Sequence, residues 1–216
     1  GSAVDMSAWI DKVDAVLWAG YGGEFVNVAL AEILTGEVNP SGKLAETFPL
    51  DLYDVPAINT HIDAATIVYS EGLNVGYRYF TTENRPVLFP FGFGLSYSCF
   101  EYSDLRIEGE GYEFTVSVEI ENSSDIPGKE IVQLYVSDPD REVYRPIREL
   151  KAFEKVFIPA HTKKRIEMKT DFRSFAYYSV ARDEWYVHPG VYEIQIGASA
   201  NDIKLSQTVR IERGKR

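Results

Sequence analysis

No regular helix can contain residues Arg85 to Tyr97, which read Arg-Pro-Val-Leu-Phe-Pro-Phe-Gly-Phe-Gly-Leu-Ser-Tyr. Pro86 and Pro90 each lack a backbone N–H and fix their own φ, which also disfavours a central strand. Gly92 and Gly94 permit φ > 0 or close backbone approach. Leu88, Phe89, Phe91, Phe93, Leu95 and Tyr97 are too apolar for a free linker. The stretch therefore reads as a rigid, extended segment clamped between two packed bodies. The chain before it has an α/β pattern, and the chain after it an all-β pattern.

On the N-terminal side, Met6 to Lys12 reads as a short helical lead-in. Val13 to Ala19 is a short apolar run that suits a strand buried on both faces, as in a parallel sheet. Gly20-Tyr21-Gly22-Gly23 forms a turn. Residues 24–35 then predict a helix, with Val26, Ala29, Leu30, Ile33 and Leu34 on one stripe. Glu24 is placed in its first turn, where the helix dipole favours a negative charge, and Gly36 is its C-terminal stop. A single β–α unit cannot cover both faces of its own strand. Residues 37–84 are turn-rich and long for a loop inside a compact domain, so they are expected to meander over another surface. Tyr77, Tyr79 and Phe80 are the expected anchors.

Beyond Phe100 the period becomes two. Tyr112, Phe114, Val116, Val118 and Ile120 alternate with polar residues, as do Val132, Leu134 and Val136. Further strands are expected at 103–108, 149–158, 163–169, 184–188, 191–197 and 202–212, the last with Ile203, Leu205, Val209 and Ile211 on one face. Short strands spaced by turns predict a β-sandwich. The fold class is α+β overall: a partial α/β segment (1–97), then an all-β immunoglobulin/fibronectin III-like sandwich (98–216).

Four ordered blocks carry a family resemblance. Pro90-Phe91-Gly92-Phe93-Gly94-Leu95-Ser96-Tyr97 resembles the junction of family 3 glycoside hydrolases, the β-glucosidase family, between an α/β sandwich domain and a fibronectin type III-like domain. Asn39-Pro40-Ser41-Gly42-Lys43-Leu44 with Thr47-Phe48-Pro49 resembles the turn after that domain's last helix. Glu71-Gly72 with Val75-Gly76-Tyr77-Arg78-Tyr79-Phe80 resembles the next segment. Gly128 to Val136, followed by Glu149-Leu150-Lys151-Ala152-Phe153, resembles the fibronectin-like module. The resemblance implies a structural, C-terminal portion of a retaining β-glycosidase that uses no cofactor. It also implies a missing N-terminal barrel and sandwich portion as partner, and a β-glycoside substrate for the intact enzyme. The rival reading is a stand-alone carbohydrate- or protein-binding module; an orphan β–α unit at 13–36 favours a piece of an enzyme.

Glycoside hydrolysis usually needs two carboxyl groups flanking the scissile bond. The family's nucleophile setting has no match here, since Ser103-Asp104-Leu105 begins a strand, and its acid/base lies upstream of residue 13. No catalytic residue is therefore carried over. Glu71 is the one substitute to weigh, against a plain ion pair with a cation such as Arg78. Gly20 to Glu24 is neither a P-loop nor G-x-G-x-x-G. Loops beyond the carboxyl ends of strands do hold ligands in open α/β sheets, so Tyr21 is a candidate substrate-binding residue at the cleft rim of the intact enzyme, to be weighed against plain packing. Tyr144 to Arg148 reads as an exposed aromatic-cationic loop that could hold carbohydrate.

A net charge of −11 argues against nucleic acid or an anionic membrane as partner. No run approaches the ~18 apolar residues of a membrane span. Cys99 is the only cysteine and reads as a buried thiol. His61, His161 and His188 lack metal-ligand spacing, so no metal is expected. Asn122-Ser123-Ser124 matches the glycosylation pattern by chance. No signal peptide is visible, and a cytoplasmic location is slightly favoured. The bare strand at 13–19 leads to an expectation of self-association.

Overall fold

The computed structural model describes residues 2–59 and 66–212; His61 lies outside them. The N-terminal part is sparse in regular structure. Helix α1 spans Val26–Leu34, and Gly36 follows at φ +78°. Strand β1 (Phe48–Pro49) pairs with β2 (Val87–Phe89), and helix α2 (Tyr77–Thr82) lies between them in sequence. Glu24 falls before the helix, whose N-cap is Phe25, so it does not sit in the first turn.

The β-sandwich follows. Strands β3 (Phe100–Glu110), β4 (Glu113–Asn122) and β7 (Lys163–Lys169) form one antiparallel sheet in the order β3-β4-β7. Strands β5 (Gly128–Ser137), β6 (Glu149–Ile158), β10 (Gly190–Ser199) and β11 (Asp202–Ile211) form the other, in the order β11-β10-β5-β6. A short helix α3 (Phe172–Phe175) and a hairpin of β8 (Tyr177–Ser179) and β9 (Glu184–Tyr186) connect the sheets. The immunoglobulin/fibronectin III-like fold and the expected strand positions are thus observed, apart from β8 and α3, which the sequence pattern did not signal.

The core is the alternation made solid. Val116, Val118 and Ile120 of β4 face Val132 and Leu134 of β5 and Ile194 and Ile196 of β10, all fully buried. Each such side chain contributes about 1.5–3 kcal/mol by leaving water. Strand β5 departs from strict alternation: Gln133 and Tyr135, on its outer face, are buried as deeply as the core residues. Something covers that outer face, and it is the segment around Arg85–Tyr97.

The run at 13–19 is corrected. It forms no strand and pairs with none among the described residues, and Val13, Val16, Leu17 and Trp18 remain exposed. A strand apolar on both faces needs a neighbour at its side and helices above and below. The described chain offers only α1, which itself buries no residue. Trp18 makes one ring contact, edge-on to Phe48 at 5.3 Å. Phe48 continues through Phe89 to Phe93 as a line of aromatic contacts.

Candidate functional site

The described residues build one densely engineered region, the seam between the crossover and the outer face of the four-stranded sheet. Its first part is a polar lock. Asn39 Nδ2 donates to Ser98 Oγ (2.8 Å) and to the Pro127 carbonyl (3.1 Å), while its Oδ1 accepts from Ser96 Oγ and the Tyr97 N–H, both at 2.9 Å. Leu44 exchanges backbone hydrogen bonds with the crossover, its N–H to the Phe93 carbonyl and its carbonyl from the Gly92 N–H, each 2.8 Å. Lys43 donates to the Gly94 carbonyl at 2.9 Å and pairs with buried Glu130 of β5 at 3.0 Å. Gly94 is required by contact, since a Cβ there would lie 2.2 Å from the Gly42 carbonyl oxygen.

The second part is an aromatic and amide stack. Tyr77 of α2 stacks on Phe91 at 4.6 Å and meets Tyr135 edge-on at 6.2 Å. Its hydroxyl accepts the Leu150 N–H at 2.8 Å, and burial pushes its phenol pKa up. Gln133 donates to the Gly92 carbonyl (3.1 Å) and the Ala198 carbonyl (2.8 Å), and accepts from the Tyr135 hydroxyl (2.6 Å). Gly92 sits at φ +81°, and a Cβ on it would lie 2.1 Å from Gln133 Oε1. Gln133 cannot retreat without giving up those three bonds.

The third part is a chain of charges leading inward from α2. Arg78 pairs with Glu149 at 3.6 Å, Glu149 with Arg145 at 2.9 Å and with Lys151 at 3.4 Å. Arg145 reaches Asp138 at 3.6 Å and donates to the Phe175 carbonyl at 3.0 Å. Asp138 ends the chain on His188 Nε2 at 2.7 Å. Burial would raise the Glu149 pKa, but Lys151, Arg145 and Arg78 outweigh it and hold the carboxyl below its ordinary value. Burial lowers the Lys151 pKa.

His188 faces acceptors on both ring nitrogens, Asp138 at Nε2 and the Pro189 carbonyl at Nδ1, 3.1 Å away. A neutral imidazole can donate from only one nitrogen, so this setting calls for the imidazolium. Burial opposes the charge, but the hydrogen bonds to Asp138 and Pro189 and the negative charges of Asp138 and Glu142 win, and the pKa is raised. A raised pKa makes the His188 contribution full below the unfolded value of about 6.5, and it is lost as pH rises through the folded value. Thermal unfolding between pH 5.5 and 9 should therefore show a decline in stability on the alkaline side, and His188→Gln should flatten it. An unchanged slope in the variant would place the proton elsewhere.

The residues singled out in the sequence fall as follows. Tyr21 is 92% exposed in the loop ahead of α1, with Gly20 and Gly23 at positive φ. Arg78 pairs with Glu149 rather than with Glu71, which lies half-buried at the start of the turn before α2. The loop at 144–148 is not an exposed aromatic-cationic surface: Arg145 is buried in the charge chain, and Arg148 donates to the Ala200 carbonyl at 2.6 Å. Tyr144 remains exposed, its hydroxyl meeting Asn74 and Glu83. Cys99 is exposed, not buried, because it precedes β3 and its ladder. Asn122 is fully buried, and its amide nitrogen donates to the Ile126 and Ile158 carbonyls, so the glycosylation pattern there is structural coincidence. Among the described residues no cluster of His, Cys, Asp and Glu could hold a metal, and no helix is long and apolar enough to cross a membrane.

Sequence reasoning missed the charge chain. One signal was available: Glu149 and Lys151 stand two apart at the start of a strand and so share a face. Asp138, Arg145 and His188 gave no local signal, because they meet only through the fold.

Residues 1–97 match the model of the glycosyl hydrolase family 3 C-terminal domain, and residues 130–200 that of the fibronectin type III-like domain. The chain is 48% identical over 216 residues to thermostable beta-glucosidase B of Acetivibrio thermocellus, covering 98% of this chain and 28% of the relative. It is 38% identical over 214 residues to an exo-alpha-(1->6)-L-arabinopyranosidase of Bifidobacterium breve, with the same two coverages of 98% and 28%. The crystal structure of a beta-glucosidase from Kluyveromyces marxianus in complex with glucose superposes with a TM-score of 0.94 at 34% identity, over 98% of this chain and 26% of that one. The chain thus spans little more than a quarter of the length of the curated relatives it matches. It belongs to glycoside hydrolase family 3, as the C-terminal portion of such an enzyme.

Proposed function

We propose that this chain is the non-catalytic buttress of a retaining β-glycosidase. In this reading its seam holds a fibronectin-like sandwich rigidly against the end of the α/β domain, and so steadies the cleft where the intact enzyme cuts terminal non-reducing β-D-glycosides. The observation that carries it is the asymmetry of the molecule. The seam is saturated with contacts, whereas residues 4–34 present Trp9, Val13, Val16, Leu17, Phe25, Val28 and Leu34 to solvent. Apolar surface on that scale belongs against another body. The body is the barrel and preceding sandwich portion of the same enzyme. Tyr21, protruding beside this bare surface, is assigned to the rim of the sugar site. Relatives named for glucosides and for arabinopyranosides share this portion, which suits a role outside sugar choice. The stand-alone carbohydrate-binding reading loses its loop, since Arg145 serves the interior.

Without its neighbour the isolated chain is expected to self-associate through residues 9–36. Sedimentation at several concentrations should show association that Val16→Lys combined with Leu17→Glu weakens while leaving the β-sandwich folded. A strictly monomeric wild-type chain that binds no apolar dye would contradict the reading. The domain boundary belongs to the same proposal, at 97/98. Residues 98–216 contain both sheets and the whole buried core around β4, β5 and β10, and should fold by themselves in one cooperative transition. A truncated chain lacking near-UV circular dichroism would move the boundary.

A further inference from the structure

One face of β5 and β6 is half covered and half bare. On β5 the outward residues are Lys129, Ile131, Gln133 and Tyr135, and their partners on β6 are Phe157, Lys155, Phe153 and Leu150. The crossover covers one end of this face, where Gln133 and Tyr135 are buried. At the other end Phe153 and Phe157 stand 64% and 50% exposed, diagonal to Ile131 between them. Lys129 and Lys155 alternate with these apolar residues and are exposed. The two phenylalanines contribute nothing to the sandwich core, which lies on the other face of the strand with Val156 and Ile158. Glu149, Leu150 and Lys151, on the same strand, are all engaged with the crossover or the charge chain; Phe153 and Phe157 are not part of that seam.

From this we infer that Phe153, Phe157 and Ile131, flanked by Lys129 and Lys155, form a second docking surface. Its occupant is an apolar, acid-rimmed surface of the polypeptide that precedes this chain in its parent enzyme. The inference rests on the buttress reading above and extends it from the bare β–α unit to the β-sandwich. Two observations select the occupant. The patch is continuous with an interface already formed, the crossover seam, so a body seated on the α/β side can spread onto it. And paired lysines at the patch, in a chain of net charge −11, favour carboxylates opposite. Aromatic side chains filling a partner's pockets commonly dominate such interfaces.

The test mixes this chain with the separately produced preceding portion of its enzyme and measures the dissociation constant. Phe153→Ser with Phe157→Ser should weaken binding roughly tenfold or more, a hot-spot effect. Its thermal unfolding should be unchanged, because the side chains are exposed. Lys129→Glu with Lys155→Glu, a pair that does not touch the core, should weaken binding several-fold at low salt and less at high salt. If the wild-type chain binds and both variants bind as well as it does, the patch is not a docking surface, and the buttress reading stands without it. If the wild-type chain does not bind, the buttress reading fails and this inference with it. If the phenylalanine variant instead loses only self-association, the occupant is a second copy, which also overturns the assignment.

Discussion

Glu149→Leu should destabilise this chain by about 3–5 kcal/mol, the usual result of removing one partner from a buried charge group. Glu149 is the hub on which Arg78, Arg145 and Lys151 converge. Its loss leaves Arg145, 4% exposed at the side chain, with Asp138 as its remaining anion. In a domain of this size that corresponds to a fall in midpoint of roughly 10 °C or more. The double variant Glu149→Leu with Arg145→Met should recover part of the loss, since apolar replacement of a whole buried pair is often near neutral. The pH signature is opposite in sign to that of His188. The Glu149 pKa is depressed in the fold, so its contribution is present above the unfolded value of about 4.3 and is lost as pH falls. Denaturant unfolding of the three proteins at pH 7 and pH 4 measures this directly. Equal stability of wild type and Glu149→Leu at pH 7 would show that the cluster is merely tolerated.

Why the seam was partly legible in the sequence follows from how its parts are encoded. Gly92, Gly94, Pro86 and Pro90 announce a special backbone path locally, without help from the rest of the fold. The alternation at 112–120 does the same for β4, because one of its faces is the core. Strand β5 alternates as β4 does, yet Gln133 and Tyr135 on its second face are buried. No pattern within a strand can tell that a distant segment will cover its second face. The buried loop cation Arg145 escapes a local reading for the same reason: its partners are Glu149 of β6, Asp138 just beyond β5 and the carbonyl of Phe175 at the end of α3. The run at 13–19 was legible as apolar on both sides, but not as unpaired, since pairing depends on neighbours and not on the run itself. Cys99 was placed by its apolar neighbours, and the start of β3 turned it outward.

The central claim is that this portion supports catalysis without performing it, and turnover of an aryl β-glucoside tests it most directly. Three samples suffice: this chain alone, the preceding portion of its enzyme alone, and the two mixed. The account predicts background turnover for the chain alone and activity in the mixture well above that of the preceding portion by itself. The reason is chemical: the resemblance locates both carboxyl groups outside this chain, and general-acid assistance by one group contributes only about 10²–10⁴-fold. Turnover by the purified chain alone that disappears in Glu71→Gln would contradict the account and make Glu71 a catalytic residue.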